Sequence, residues 1–313
     1  MRTVTAMGET IMDILFREKQ PVAAVPGGSS FNSIISLGRT GLPCRFIGYA
    51  GQDRVGLDTQ AFLKENGVSI ENFEIREGEK SAISLAYLDE NGDATYQFYK
   101  DVPRAHQTWL MPSFAAEDVL LFGSYYAACE GMRPQVESTL QAAHDAGAIL
   151  YYDINFRRSH AHELDALRPA IHWNFSRSTI VRGSADDFEV MYGERDARKI
   201  YDRHIASHCP VFICTAGGGT IVVCTPTGEF RFKAPHLPNV VSTVGAGDNF
   251  NAGFIYGLVR EGVTRDCLAM LGHDDWQSLV RMATAFAAQA CQSTDNFIGK
   301  DFAESLKTDG ITN

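Results

Sequence analysis

The chain has 313 residues, 45% of them hydrophobic and 21% charged, an ordinary globular composition that can bury a large core in one big α/β unit. Its formal net charge is −10, from 28 Lys and Arg against 38 Asp and Glu, with no basic tract, which excludes nucleic acid as a partner. No apolar stretch approaches 18 residues and the first eight residues turn polar too early for a signal peptide, so a cytoplasmic protein without membrane contact is expected. The seven cysteines make no CxxC pair and sit mostly in apolar segments, as reduced core thiols do.

In chain order, strands are predicted at 3–7 and 44–49, then a helix from Leu57 to Asn66 stopped by Gly67. Residues 82–88 and 94–99 alternate polar with apolar around Asp89-Glu90-Asn91-Gly92-Asp93, the pattern of a β-hairpin with an Asn-Gly turn. A buried strand at 118–123 precedes a helix from Pro134 to Ala146, with Val136, Leu140 and Ala143 on one face and Gly147 ending it. Then come the strand Ala148–Tyr152, strands at 178–182 and 210–215, and helices at 185–192, 196–207, 248–260 and 276–292. Such alternation predicts a mostly parallel sheet covered by helices on both faces. Ligands then belong beyond the C-terminal strand ends, where Asp153, Thr215 and the turn before residue 248 fall.

That turn carries the chemistry. Ser242-Thr243-Val244-Gly245-Ala246-Gly247-Asp248 brings two glycines and an alanine to a helix start, where the amides of Ala246, Gly247 and Asp248 are expected to be unpaired and aimed at an anion. Asp248 is favoured there by the helix dipole, and a base beside an anion clamp is what phosphoryl transfer to a hydroxyl requires. A second run, Pro26-Gly27-Gly28-Ser29-Ser30-Phe31-Asn32, puts another glycine pair ahead of another helix, with Asn32 in its first turn. The runs lie more than 200 residues apart, and one site built from both is the economical interpretation.

On these two runs the chain resembles the PfkB (ribokinase-like) family of carbohydrate kinases, fructokinases in particular, whose fingerprints are GG-x-x-x-N and a DTxGAGD-type stretch. Further matches are Gly8-Glu9 and Asp13, taken to lie on the opening strand, Gly48-Tyr49-Ala50-Gly51-Gln52-Asp53, Asp153-Ile154-Asn155-Phe156-Arg157 and Thr215-Ala216-Gly217, so that the resemblance spans about residues 3–300. It implies a ribokinase-like fold, a single large α/β kinase domain over 1–313 with small lid strands inserted at about 10–25 and 80–105.

The resemblance also implies roles. Asp248 is the base, and Gly245, Ala246 and Gly247 hold the charge developing on the phosphoryl group. Asp13, Gly27, Gly28 and Asn32 bind sugar hydroxyls, Arg157 approaches the phosphate or an acidic substrate group, and Lys100 and Arg104, like Arg157, are candidates to meet a carboxylate or a phosphate. Thr215, Gly217, Ser184 and Asn155 border ATP, Ala285 to Asn296 lie near the adenine, and Asp187 serves Mg²⁺. Two positions depart from the pattern. Ser242 replaces the aspartate that in relatives helps bind a monovalent cation, which places potassium activation in doubt, and Ser184-Ala185-Asp186-Asp187 replaces the NxxE element.

No GxxxxGK[ST] occurs, which excludes a P-loop kinase, and Gly8-Glu9-Thr10 does not supply the GxGxxG of a dinucleotide enzyme. His160-Ala161-His162 and His273-Asp274-Asp275 are weak candidates for a metal hydrolase. The rival from another class is a non-catalytic sugar-binding homologue. The expected acceptor is a hexose, fructose first and 2-keto-3-deoxygluconate second, with ribose or a nucleoside behind. The aromatics Tyr96, Phe98 and Tyr99 permit a homodimer through the lid.

Overall fold

In this computed structural model, which describes residues 2–88, 94–105 and 109–308, β1 (Val4–Met7) is buried on both sides and turns at Gly8-Glu9-Thr10 toward a second sheet. There β2 (Ile11–Arg17) and β3 (Gln20–Gly27) pair antiparallel, and β3 delivers the chain to α1 (Ser29–Arg39). Asp13 therefore stands on β2 and not on the opening strand, because the polar corner at residues 8–10 ends β1 and sends the chain across.

The chain returns as β4 (Cys44–Gly51) and α2 (Arg54–Glu65). That helix starts three residues earlier than expected because Asp53 caps it, accepting from the Gly56 amide at 2.9 Å. After the short β5 (Val68–Ser69) and β6 (Phe73–Arg76), β7 (Ile83–Leu88) and β8 (Ala94–Tyr99) pair antiparallel. The expected turn at 89–93 lies outside the described residues. Because β7 runs parallel to β2, the small sheet is mixed, in the order β3-β2-β7-β8, and separate from the main one.

The rest of the chain alternates: β9 (Val119–Gly123), α3 (Ser124–Ala128), α4 (Arg133–Asp145), β10 (Ile149–Asp153), α5 (Leu164–Arg177), β11 (Ile180–Ser184), α6 (Ala185–Tyr192) and α7 (Ala197–Ile200). It finishes with β12 (Val211–Thr215), β13 (Thr220–Thr225), β14 (Gly228–Lys233), α8 (Ala246–Arg260), α9 (His273–Ala290) and α10 (Lys300–Thr308). The main sheet runs β14-β13-β12-β11-β10-β9-β1-β4-β5, with β6 also on β4; it is parallel from β12 to β5, and β13 and β14 form an antiparallel edge.

Parallel strands buried on both faces read as continuous apolar runs, and each supplies two cores. On β10, Tyr151 packs against Phe254 of α8 on one face while Tyr152 packs against Phe175 of α5 on the other. Helix α5 carries no clear helical signal in the sequence because Pro169 stands inside it, and the expected helix 196–207 is the short α7 followed by a π turn at Tyr201–Ile205. The β13–β14 hairpin is an addition to the expected elements, and Thr225-Pro226-Thr227-Gly228 between two strand-like runs is its turn signal.

All seven cysteines are free and only Cys267 is not fully buried; burial pushes the thiols of Cys209, Cys214 and Cys224 up to about 12. Among the described residues no helix is long and apolar enough to cross a membrane.

Candidate active site

The first turns of α1 and α8 meet beyond the strand ends, and the bonds between them fall on one carboxylate. Ser29 Oγ donates to Oδ1 of Asp248 and Asn32 Nδ2 to Oδ2, each at 2.8 Å, while Ser33 Oγ donates to the Asp248 carbonyl at 2.8 Å. Gly28 must be glycine: its φ is 127°, and a Cβ would stand 2.4 Å from the Glu9 carbonyl oxygen. Burial pushes the Asp248 carboxyl up to about 6, against the lowering pull of the Asn32 and Ser29 bonds; nearby Asp153 adds to the rise, and Arg157 opposes it. A carboxylate so tuned is ionised at neutral pH yet basic enough to take a proton.

Gly245, at φ 76°, starts α8, whose first turn has no side-chain cap. The Ala246 amide donates to the Thr243 carbonyl at 3.2 Å, so it is not one of the free donors expected from sequence; the turn closes on itself there. The Gly247 and Asp248 amides have no protein acceptor among the described residues and remain for an anion. Ser242 Oγ is spent on the Val244 amide at 3.1 Å.

Beneath this turn runs a buried polar seam that the sequence did not announce. Arg182 donates to Asp153 at 3.1 and 3.3 Å and to Thr215 Oγ1 at 2.9 Å. Asp153 also accepts from Asn251 Nδ2 at 2.6 Å, and Asn251 Oδ1 accepts from the Tyr151 hydroxyl at 3.0 Å. Gly247 rests on the guanidinium, whose nitrogens lie 3.3 Å from where its Cβ would be. Although burial opposes its charge, Asp153 above all holds Arg182 protonated.

A cavity of about 400 Å³ opens over Asp248, lined among others by Asp13, Gly28, Asn32, Lys100 and Arg157. Asp13 accepts from the Ser84 hydroxyl, and burial raises its carboxyl while that bond and Arg157 lower it; Gly27 leaves room for Asp13, whose Oδ2 is 2.8 Å from where a Cβ would be. Asn32 Oδ1 is buried with no partner, an open acceptor facing the need for a donor such as a sugar hydroxyl. Lys100 is in contact with Glu9, and Arg157 is exposed. Asn155, at φ 35°, donates to Ser124 Oγ at 2.9 Å.

On the other side of the GAG turn, Thr215 ends β12 and Gly217 has nothing within 4 Å of its Cβ position. Ser184 and Asp187 form a capping box on α6: Asp187 Oδ2 accepts from the Ser184 amide at 2.7 Å and its hydroxyl at 2.8 Å. Burial pushes Asp187 up to about 6, with Asp153 adding to the rise and Arg182 opposing it. Among the described residues no group of three or more His, Cys, Asp or Glu is placed to hold a metal. Phe286 is fully buried, 5.5 Å from both Tyr256 and Phe302, so it is core and not adenine contact. Ala285 and Ala288 do line a cavity between β14 and α9, and Asn296 lines the cavity over Asp248.

Comparison with known proteins bears on the family and the fold. The chain is 28% identical over 271 residues to the aminoimidazole riboside kinase of Salmonella typhimurium, covering 83% of this chain and 82% of that protein. It is 25% identical over 247 residues to the 5-dehydro-2-deoxygluconokinase of Geobacillus thermodenitrificans, covering 75% and 72%. Its fold matches a fructokinase double mutant from Vibrio cholerae, solved in its fructose-, ADP- and potassium-bound form, with TM-score 0.83 and 19% identity over 98% of each chain. The pattern described as pfkB family carbohydrate kinase matches residues 1–301, and the chain belongs to that family of sugar kinases.

Proposed function

We propose that this sugar kinase transfers the γ-phosphoryl group of ATP to a hydroxyl of a fructose-type hexose. The observation that carries the reading is the Asp248 carboxylate, fixed by Ser29 and Asn32 beside the unpartnered amides of Gly247 and Asp248. Sugar hydroxyls donate to Asp13 and to the open Oδ1 of Asn32, and a further hydroxyl, held in place by those bonds, gives its proton to Asp248 as its oxygen attacks the γ-phosphorus. The bond to the β-phosphate oxygen breaks, ADP leaves, and Gly245 and the amides of Gly247 and Asp248 hold the equatorial charge.

ATP lies along Thr215 and Gly217, with Ser184 and Asn155 flanking the phosphates and adenine toward Ala285 and Ala288. Mg²⁺, when bound, neutralises the triphosphate, and the desolvated Asp187 carboxylate is the group that fits a cation there. Ser242, spent within its own turn, argues against a required monovalent cation, although the Vibrio cholerae fructokinase structure holds potassium. The small sheet acts as a lid that excludes water from the acceptor. Its exposed Val22, Tyr87 and Tyr99 suit a second copy of the chain; the Tyr96 side chain lies outside the described residues.

The relatives named for an aminoimidazole riboside and for 5-dehydro-2-deoxygluconate keep ribosides and sugar acids as the alternatives. ATP consumption with Mg²⁺ is to be measured against fructose, 2-keto-3-deoxygluconate, ribose, tagatose and nucleosides, native chain beside Asp248→Asn. Turnover of one compound that the variant loses by at least about 10² while still binding it supports the reading. Binding without turnover in the native chain would favour a non-catalytic sugar-binding protein.

A further inference from the structure

Lys100 follows β8 at the wall of the acceptor cavity, the position from which a cation would meet a sugar acid, and it is already engaged. Its ammonium contacts the Glu9 carboxylate and lies 5.5 Å over the Phe98 ring. Glu9 follows β1 of the main sheet, so the pair ties the two sheets together, with the Lys100 and Glu9 side chains only 21% and 27% exposed. Both residues also line a neighbouring cavity that contains Arg76 and Arg104.

The charge balance of the acceptor cavity follows. Its lining holds three carboxylates, Glu9, Asp13 and Asp248, against two cations, Lys100 and Arg157. An uncharged sugar enters without disturbing them. A sugar acid must either draw Lys100 off Glu9, stranding a mostly buried carboxylate, or bring its charge beside Asp13 and Asp248 with Arg157 the one fixed cation of the lining left to meet it, His160 being engaged with Glu163. Like charges forced together discriminate strongly between otherwise similar ligands, and selectivity often rests on such built repulsion.

We propose that Glu9 is a specificity-determining residue: by holding Lys100 it sets the acceptor pocket for uncharged ketoses and glycosides and against sugar acids. The proposal rests on the kinase reading of the same site and adds the charge class of its acceptor.

The test is calorimetric binding of fructose and of 2-keto-3-deoxygluconate without nucleotide, to the native chain, Glu9→Gln and Glu9→Gln/Lys100→Met. Fructose is expected to bind the native chain at least about tenfold tighter than the acid. Glu9→Gln should shrink that ratio by about tenfold or more, and adding Lys100→Met should restore it, because the released ammonium is what the acid gains. A ratio unchanged in Glu9→Gln, a native preference for the acid, or no measurable binding of either sugar overturns the proposal. Failure of the kinase reading has a different signature: the binding ratios come out as expected, yet neither these two sugars nor ribose, tagatose or a nucleoside is phosphorylated when ATP and Mg²⁺ are added.

Discussion

The two sides of the first turn of α8 are built from the same kinds of side chain and are opposite in character. Below it, Arg182, Asp153, Thr215, Asn251 and Tyr151 bond one another in a buried, nearly closed set. Above it, Asp248, the open Oδ1 of Asn32 and the Gly247 amide keep bonding capacity in hand over a cavity. Polar groups that satisfy each other fix a backbone; polar groups left unsatisfied at its surface are where a ligand is recognised.

Four substitutions separate the two sides. Above the turn, Asp248→Asn should cut kcat by about 10²–10⁴, read in the ATP-consumption assay. The same change should raise thermal stability at pH 7–8 by about 1–2 kcal/mol, against any loss of the Ser29 and Asn32 bonds. The sign follows from the proton: the folded carboxyl holds it up to about pH 6, whereas an unfolded one releases it near pH 4, so the fold loses stability as pH rises through that interval. A variant less stable than the native chain would mean that the bonds outweigh desolvation. Native kcat/KM should fall about tenfold per unit below pH 6, and a limb near pH 4 would remove Asp248 as the titrating base.

Below the turn, Arg182→Met strands Asp153 and should lower stability in urea titration by about 3–5 kcal/mol, an effect the upper side cannot match. A loss under about 1 kcal/mol would show the seam to be replaceable. Asn32→Ala, which removes a donor to Asp248 and the open acceptor, should lower kcat/KM about tenfold with little change in melting temperature. An effect of similar size, read at subsaturating Mg²⁺ only, is expected of Asp187→Ala: an increase of roughly tenfold in the Mg²⁺ needed for half-maximal rate, an unchanged titration taking Asp187 out of the site.

The same contrast explains what was legible in the sequence. Asp248, Gly245, Gly28 and Asn32 sit in short runs whose glycines declare a backbone turn, and the strand–helix alternation declares a parallel sheet. Arg182 and Asn251 carry no such local mark: their partner Asp153 stands 29 and 98 residues away, and that distance in sequence is spanned only by strand order. Ser29 lies inside the recognised run but carries no role there, since a serine beside a glycine is ordinary turn composition. Lys100 was readable as a basic residue near the acceptor, but its pairing with Glu9 depends on how the two sheets are set against each other.

The buried thiols have a practical consequence. With Cys209, Cys214 and Cys224 held protonated to about pH 12 and only Cys267 part-exposed, the chain offers alkylating reagents little thiolate at neutral pH. A cysteine introduced at exposed Val22 on the small sheet would therefore be the fastest to label, and a fluorophore placed there would report movement of that sheet over the acceptor without removal of the seven native cysteines.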